Sequence, residues 1–410
     1  MAMTRRFIDV RPGELGPVAA SFAYFFFLLA GYYVLRPLRD EMGVTGGKLE
    51  YLFTFTFVAS LLFVPLFSAI VARFSRARIV PITYGFFVVN LIGFYLLFRL
   101  GVAPKTVARV FYVWASVYNL FITSVFWSYM ADVFRPEQGK RLFGLIATGG
   151  SAGAVVGPLL TRQLAHALGT ANLILVAAAG LAAAAVCAQV LRAHARERRD
   201  DEAPVGGTVL AGFRQALSTP YLGVLCLVQL AYTTTSTFLY FQQQEIVRDA
   251  LSDPAARTAL FATRDLIVNA ATIAIQVLIT GAVLSRLGLL VGLAVLPLAT
   301  AAGFAGLAAW PVVGAVIAVD AARRTLHFAI DRPARENLFT VLSPEEKYKA
   351  KSFIDTVVYR GGDAGSGWLF TGLRGLGLGV VGTAIFAIPL ALAWLAGNLY
   401  LGRRHARRAA

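Results

Sequence analysis

The sequence is poor in what a water-soluble domain needs on its surface. Only 15% of its 410 residues are charged, where soluble domains run near a quarter, so it cannot cover itself with polar groups in water. A soluble enzyme is therefore excluded. Cysteine is nearly absent, and the two present, Cys187 and Cys226, sit inside apolar runs and form no disulfide framework. No Cys/His cluster has metal-ligand spacing, so no metal is expected. A P-loop, a Rossmann fingerprint and a nucleophile elbow are all missing, which leaves no case for a nucleotide-driven pump, a catalytic residue or a bound cofactor.

Apolar residues are abundant instead. They make up 58% of the chain, with mean hydropathy +0.67, and about 238 such residues supply twelve membrane helices of roughly 20 residues each. Apolar runs bounded by charged or Gly/Pro clusters place the spans near 17–38, 50–71, 79–100, 107–133, 142–166, 171–191, 220–242, 258–284, 288–308, 311–331, 350–373 and 379–401. The N-terminal stretch MAMTRRFIDVRPGELG resembles a signal peptide in its charge. The run that follows ends in LRPLRDE rather than at a small-residue cleavage site, so it is expected to stay as the first span. Residues 192–219 form a hydrophilic cytoplasmic linker with a possible interfacial helix, dividing an N-terminal bundle (1–191) from a C-terminal one (220–410).

The net charge of +16 leaves nucleic acid, acidic lipid, an anionic solute and simple topology as explanations. With the N-terminus inside, the cytoplasmic segments carry 24 Lys/Arg against 11 on the other side, a bias that the positive-inside rule associates with cytoplasmic termini. The clusters are separated rather than gathered on one face, so no nucleic-acid partner is expected. Residues 134–161 and 342–371 share a Pro-Glu step followed by a Gly-rich stretch, about half a chain apart. An even number of spans between them predicts two pseudo-symmetric six-helix halves with a solute site near the midplane.

Polar residues inside the spans are the functional candidates, because charge in hydrocarbon is costly unless it lines a cavity or is paired. In the tenth span, Asp320, Arg323, Arg324, His327 and Asp331 follow helical spacing and are expected along one face, as an anion-binding wall or a structural ion-pair ladder. The first span ends with Tyr32, Tyr33, Arg36, Arg39 and Asp40 on successive turns, with Pro37 expected to loosen the helix. Arginine's planar fork suits phosphate or carboxylate, although an aromatic belt with snorkelling arginines is the alternative. Asp265, Asn269, Thr272 and Gln276 form a polar stripe on the eighth span. Trp114, Tyr118 and Asn119 recur at helical spacing on the fourth, and the eleventh holds Asp355, Tyr359, Arg360 and Asp363. Gly149, Gly153 and Gly157 make a small-xxx-small ridge, expected to let two helices approach closely.

The stretch RRTLHFAIDRPARENLFTVLSPEEKYKAKSFIDTVVYRGGDAG (323–365) resembles the ATP/ADP translocase family of nucleotide exchangers, through Arg324, Pro333, Arg335, Glu336, Leu342, Glu345, Lys347, Lys349, Lys351 and Asp355. Trp127, Glu137, Lys140 and Arg141 resemble a second segment of that family, and VLRPLRDEMGV its first-helix motif, with Arg39 at a nucleotide-binding lysine and Arg36 at an arginine. Tyr112 and Val113 stand where the family has a glutamate, Tyr240 near another, and His327 near a lysine. The resemblance implies a major-facilitator-like bundle exchanging or importing a nucleotide or related organic phosphate by alternating access. Arg36, Arg39, Arg324 and Arg335 would hold phosphate, and Tyr33 and Tyr118 the base, with Asn269 and His327 completing the solute site. Asp265, Asp320, Asp355, Arg360 and Asp363 are the candidates for coupling or gating. Rival readings are a proton-coupled carrier of another organic solute and a non-transporting scaffold, the latter disfavoured by the cost of buried charge. The expected setting is a monomer in the lipid bilayer of a bacterial inner membrane, taking a small anionic solute such as ATP or ADP.

Overall fold

The structure, a computed structural model, describes residues 10, 11, 13–73, 76–194, 219–343, 350, 351 and 353–409. The expected linker falls largely outside the described residues, as do Glu345, Lys347 and Lys349. Within them the protein is all-α, with no strand, and the twelve expected spans are twelve helical segments. These are α1 (Leu15–Gly46), α2 (Leu49–Arg73), α3 (Arg76–Arg99), α4 (Pro104–Val133), α5 (Pro136–Leu168), α6 (Thr170–Val190), α7 (Pro220–Ala250) and α8 (Pro254–Ile275). The rest are α9 (Gly288–Ala309), α10 (Val313–Leu326), α11 (Tyr359–Gly375) and α12 (Val380–Ala409). Wider π-turns extend α8 through Gln276–Thr280 and Val283–Leu287, α10 through His327–Asp331, and precede α11 at Ile354–Val358. Among the described residues nine helices are long and apolar enough to cross a membrane. The other three are α2, of which Leu49–Leu62 counts as a shorter apolar helix, and α10 and α11, whose charged and glycine residues lower hydropathy.

Sequence chemistry explains the boundaries. Proline begins α4, α5, α7 and α8, where the absent N–H removes no helical hydrogen bond. Gly169 ends α5 at φ +76°, a left-handed conformation that leads directly into α6. Contrary to the expectation for Pro37, α1 runs unbroken through it to Gly46. Ion pairs on the following turn and the Arg109 Nε–H donated to the Gly46 carbonyl (2.8 Å) hold the continuation in place.

Two compact units are distinguished. The first contains Met1–Gly47, Val58–Ala203 and Leu251–Leu266, and the second Lys48–Phe57, Pro204–Ala250 and Ile267–Ala410. Relative to a cut at the linker, the first turns of α2 and α8 are traded. The beginning of α8 is tied to α1 by buried ion pairs, whereas the beginning of α2 meets α7 and α11, with Phe53 edge-on to Phe241 and the Trp368 indole N–H donated to Thr54 Oγ1 (3.0 Å).

In the first unit the core is aromatic. Phe25 stacks on Phe126 at 4.1 Å, and Tyr24 and Tyr84 share a buried hydroxyl–hydroxyl hydrogen bond of 2.5 Å. The glycine ridge of α5 lies on α1, as its spacing suggested: a Cβ at Gly153 would stand 2.4 Å from the Phe26 carbonyl oxygen. In the second unit, Tyr221 donates to the Leu338 carbonyl (2.8 Å), and buried Trp394 packs edge-on against Tyr232.

At the start of α1, Glu14 accepts from Gln138 Nε2 (2.9 Å), the Arg11 backbone N–H (2.9 Å) and Arg141 (2.9 Å). Gln138 in turn accepts from the Arg135 N–H that opens α5. These donors, Gln138 foremost, hold the Glu14 carboxyl down from 4.5 to about 2. A depressed carboxylate stabilises the fold above its unfolded value and loses that contribution as pH falls through the folded one. The thermal stability gap between wild type and Glu14→Gln is therefore expected to be full at pH 7 and to close between pH 4.5 and about 2. A gap that persists unchanged to pH 2 would contradict this clasp.

Candidate functional site

In the first unit the candidate residues meet at a buried ionic cluster. Turns of α1 carry Arg36, Arg39, Asp40 and Glu41 on neighbouring positions, and α8 brings Arg257, Arg264 and Asp265. Arg264, only 1% exposed, donates to Asp40 Oδ2 at 2.5 Å and to Asp265 Oδ1 at 2.9 Å. Arg36 lies 3.6 Å from the other Asp265 oxygen and 5.6 Å from the Tyr33 ring centre. Arg39 donates to Asp40 at 3.1 Å, and its guanidinium lies over the Tyr112 ring at 4.9 Å. Tyr112 stands where the translocase resemblance places a glutamate, so a cation–π contact occupies that position here. One turn on, Arg257 binds Glu41 at 2.7 Å and the carbonyls of Leu251 and Ser252, fastening the α7–α8 turn to α1.

Sequence reasoning missed Arg257, Arg264 and Glu41. The expected eighth span, 258–284, leaves Arg257 in the loop before it and takes in Arg264 without singling it out, yet both belong to α8 and are buried. The signal that could have found them is spacing: Arg257, Arg264 and Asp265 follow i, i+7, i+8, one face of a helix. Tyr118 is fully buried, stacked on Trp114 at 5.0 Å and edge-on to Phe87, within the aromatic core of the first unit.

In the second unit the tenth-span residues are divided between tasks. Arg324 pairs with Asp320 at 3.7 Å, the ladder contact expected from sequence. Arg323, 3% exposed, turns instead to neutral oxygens of α7: Ser236 Oγ (2.9 Å), the Tyr232 carbonyl (3.0 Å) and Thr235 Oγ1 (3.2 Å). The single expected face then breaks, because the π-turn at His327–Asp331 shifts the helical phase. It also gives the carbonyls of Phe328 and Ala329 partners on the α8 extension, Gln276 Nε2 (3.1 Å) and Thr280 Oγ1 (2.7 Å). His327 stacks on Tyr232 at 4.6 Å and meets Asp331 at 3.1 Å through Nδ1. Arg335 hydrogen-bonds Gln229 and lies 3.7 Å from Asp355, while Asp363 accepts from Thr237 (3.1 Å) and Arg360 lies over the Tyr359 ring. Asn269, half-buried, follows Asp265 by one turn of α8 and belongs to the second unit. Among the described residues no three His, Cys, Asp or Glu side chains converge to hold a metal.

Each unit thus gathers arginine, carboxylate and tyrosine on its helices. The sequence profile of the Major Facilitator Superfamily matches residues 15–323. The chain belongs to the Major Facilitator Superfamily. Solved structures of similar fold include a bacterial homologue of the human lysosomal transporter Spinster (14% identity, TM-score 0.61, covering 98% of this chain and 99% of that one). The nucleoside transporter NupG is similar at 14% identity and TM-score 0.63 (96% and 99%), and a POT family peptide transporter at 14% and 0.65 (95% and 96%). At such identities the likeness is one of fold. No curated protein matches the chain. The architecture of this superfamily member is that of a multi-pass secondary transporter.

Proposed function

We propose that this superfamily member carries a small organic anion by alternating access, with a nucleotide or related organic phosphate as the preferred class. One observation carries the reading. In the first unit three guanidinium groups, of Arg36, Arg39 and Arg264, surround two carboxylates, and Arg36 and Arg39 keep 19% and 21% of their side chains exposed. Such partly open arginines present paired N–H donors to a phosphate or carboxylate. The translocase-like motifs around Arg36, Arg39, Arg324 and Arg335 support the phosphate class. A bacterial inner membrane and cytoplasmic termini, supported by the positive-inside bias, complete the proposal, with a monomer as the working unit.

Counterflow tests it. Proteoliposomes loaded with ADP are expected to take up labelled ATP, and Arg39→Gln is expected to raise the half-saturating concentration by about 10- to 100-fold, the effect of one charge-assisted hydrogen bond. No counterflow with adenine nucleotides, nucleoside monophosphates or simple organic anions would sink the reading. The rival, proton-coupled transport, is favoured by the His327–Asp331 contact. The same vesicles decide it: solute addition should then dissipate an imposed pH gradient.

A further inference from the structure

The end of α12 carries a cluster of basic residues outside the candidate solute site. This helix continues as helix past its apolar stretch to Ala409. One side is fixed to the second unit: Asn398 Nδ2 donates to the Leu293 carbonyl (2.7 Å), a Cβ at Gly402 would meet Leu290 at 2.5 Å, and His405 Nε2 lies 3.3 Å from Thr340 Oγ1. At 100° per residue these positions share one face. Opposite them fall Tyr400, Arg403, Arg404 and Arg407, spaced i, i+3, i+4, i+7. They line a shallow cleft of about 390 Å³ whose lower wall is Ala396 and Leu399. The three arginines are exposed, and the Arg404 guanidinium lies over the Tyr400 ring at 5.5 Å. From the membrane outward the face therefore reads apolar, aromatic, then triply cationic.

We propose that this face is a binding site for the phosphate headgroup of an anionic phospholipid. The proposal rests on α12 crossing the membrane and on nothing assumed about the transported solute. Positive-inside topology requires basic residues near a span's end but does not require them to share a cleft with an aromatic ring and an apolar floor. The order matches a lipid: Ala396 and Leu399 at the acyl chains, Tyr400 at the ester level where aromatic rings concentrate, and the arginine forks on the phosphate. Because the opposite side is pinned, the backbone positions of the arginines are fixed relative to one another, and only their side chains need order on binding.

Native mass spectrometry of the full chain in detergent, titrated with phosphatidylglycerol or phosphatidylcholine, reads the site. Wild type is expected to retain phosphatidylglycerol in preference to phosphatidylcholine. Arg403→Gln/Arg404→Gln/Arg407→Gln is expected to lose that preference, with phosphatidylglycerol affinity falling on the order of a hundredfold for three juxtamembrane cations. The triple Arg→Lys variant should keep most of the preference, and Arg248→Gln, at an exposed arginine elsewhere, all of it. Should the triple Gln variant fail to fold, Arg404→Gln with Tyr400→Leu provides the same reading at about fivefold loss. Equal retention of the two lipids by wild type, or an undiminished preference in the Gln variants, would overturn the proposal. Displacement of the lipid by millimolar glycerol 3-phosphate or inorganic phosphate would overturn it as well, marking a soluble-anion site instead.

Discussion

Arg264→Gln is expected to be among the most destabilising single substitutions in this transporter. Its guanidinium is 1% exposed and is the shared donor to Asp40 and Asp265, which are themselves 2% and 0% exposed. Glutamine loses the bridging cation, which leaves Asp40 to Arg39 at 3.1 Å and Asp265 to Arg36 at 3.6 Å. Removing one partner of a buried ion pair costs about 3–5 kcal/mol, and the two remaining, partly exposed arginines put Arg264→Gln at the lower end. Cys187 and Cys226 are free and half-buried, so heat-induced thiol labelling in detergent gives the unfolding temperature directly. The variant should unfold well below wild type, and adding Asp265→Asn should recover part of the loss, because without Arg264 the Asp265 carboxylate is left with the longer 3.6 Å contact to Arg36. An unchanged unfolding temperature for Arg264→Gln would mean that the cluster is solvated and not a buried network. Transport should fall together with stability, since Arg36 and Arg39 are oriented by the same two carboxylates.

The second large effect is expected at Gly153. A Cβ there would stand 2.4 Å from the Phe26 carbonyl oxygen and 2.8 Å from the Ala30 nitrogen. Both are backbone atoms of α1, which no side-chain rotation can move. Gly149 and Gly157 face the same helix at 2.4 and 2.6 Å from carbonyl oxygens. Gly153→Ala must therefore push α5 away from α1, opening the contact along the whole ridge. Overpacking of this kind costs about 1–3 kcal/mol, and an immovable neighbour puts Gly153→Ala at the upper end. Gly153→Val should be worse. A matched control lies on the same helix: nothing comes within 4 Å of a Cβ at Gly144. Gly144→Ala should be neutral or stabilise by up to about 1 kcal/mol through helix propensity. Equal effects at the two sites would show that helix propensity, and not the close approach, governs α5.

Much of this was legible in advance, and the divisions have physical causes. Spans one, three to nine and twelve could be placed because each insertion preference is close to a sum over its own apolar residues. The glycine ridge was legible because a four-residue repeat of small residues on a membrane helix has one common use. The Asp320–Arg324 pair was legible because both lie on one helix, one turn apart. The ring packing of Tyr118 was not legible, since an aromatic residue at helical spacing looks the same whether it faces solute or other rings. The hydropathy boundary at residue 258 hid Arg257, because a charge just before an apolar run reads as loop, whereas the helix begins at Pro254.

Composition and periodicity therefore determined the membrane setting, the helical class and the approximate position of every span, all quantities that depend on near neighbours. Tertiary structure alone decided which charges are spoken for. Arg264 and Asp40 are separated by 224 residues, and their 2.5 Å contact exists only because α1 and α8 lie together in the first unit. Arg323 likewise found hydroxyl and carbonyl oxygens 87 to 91 residues away in place of the acid three positions before it. A one-dimensional pattern places a charge on a helix face. Only packing determines what that face meets, and so whether an arginine is a strut or a hand held out to an anion.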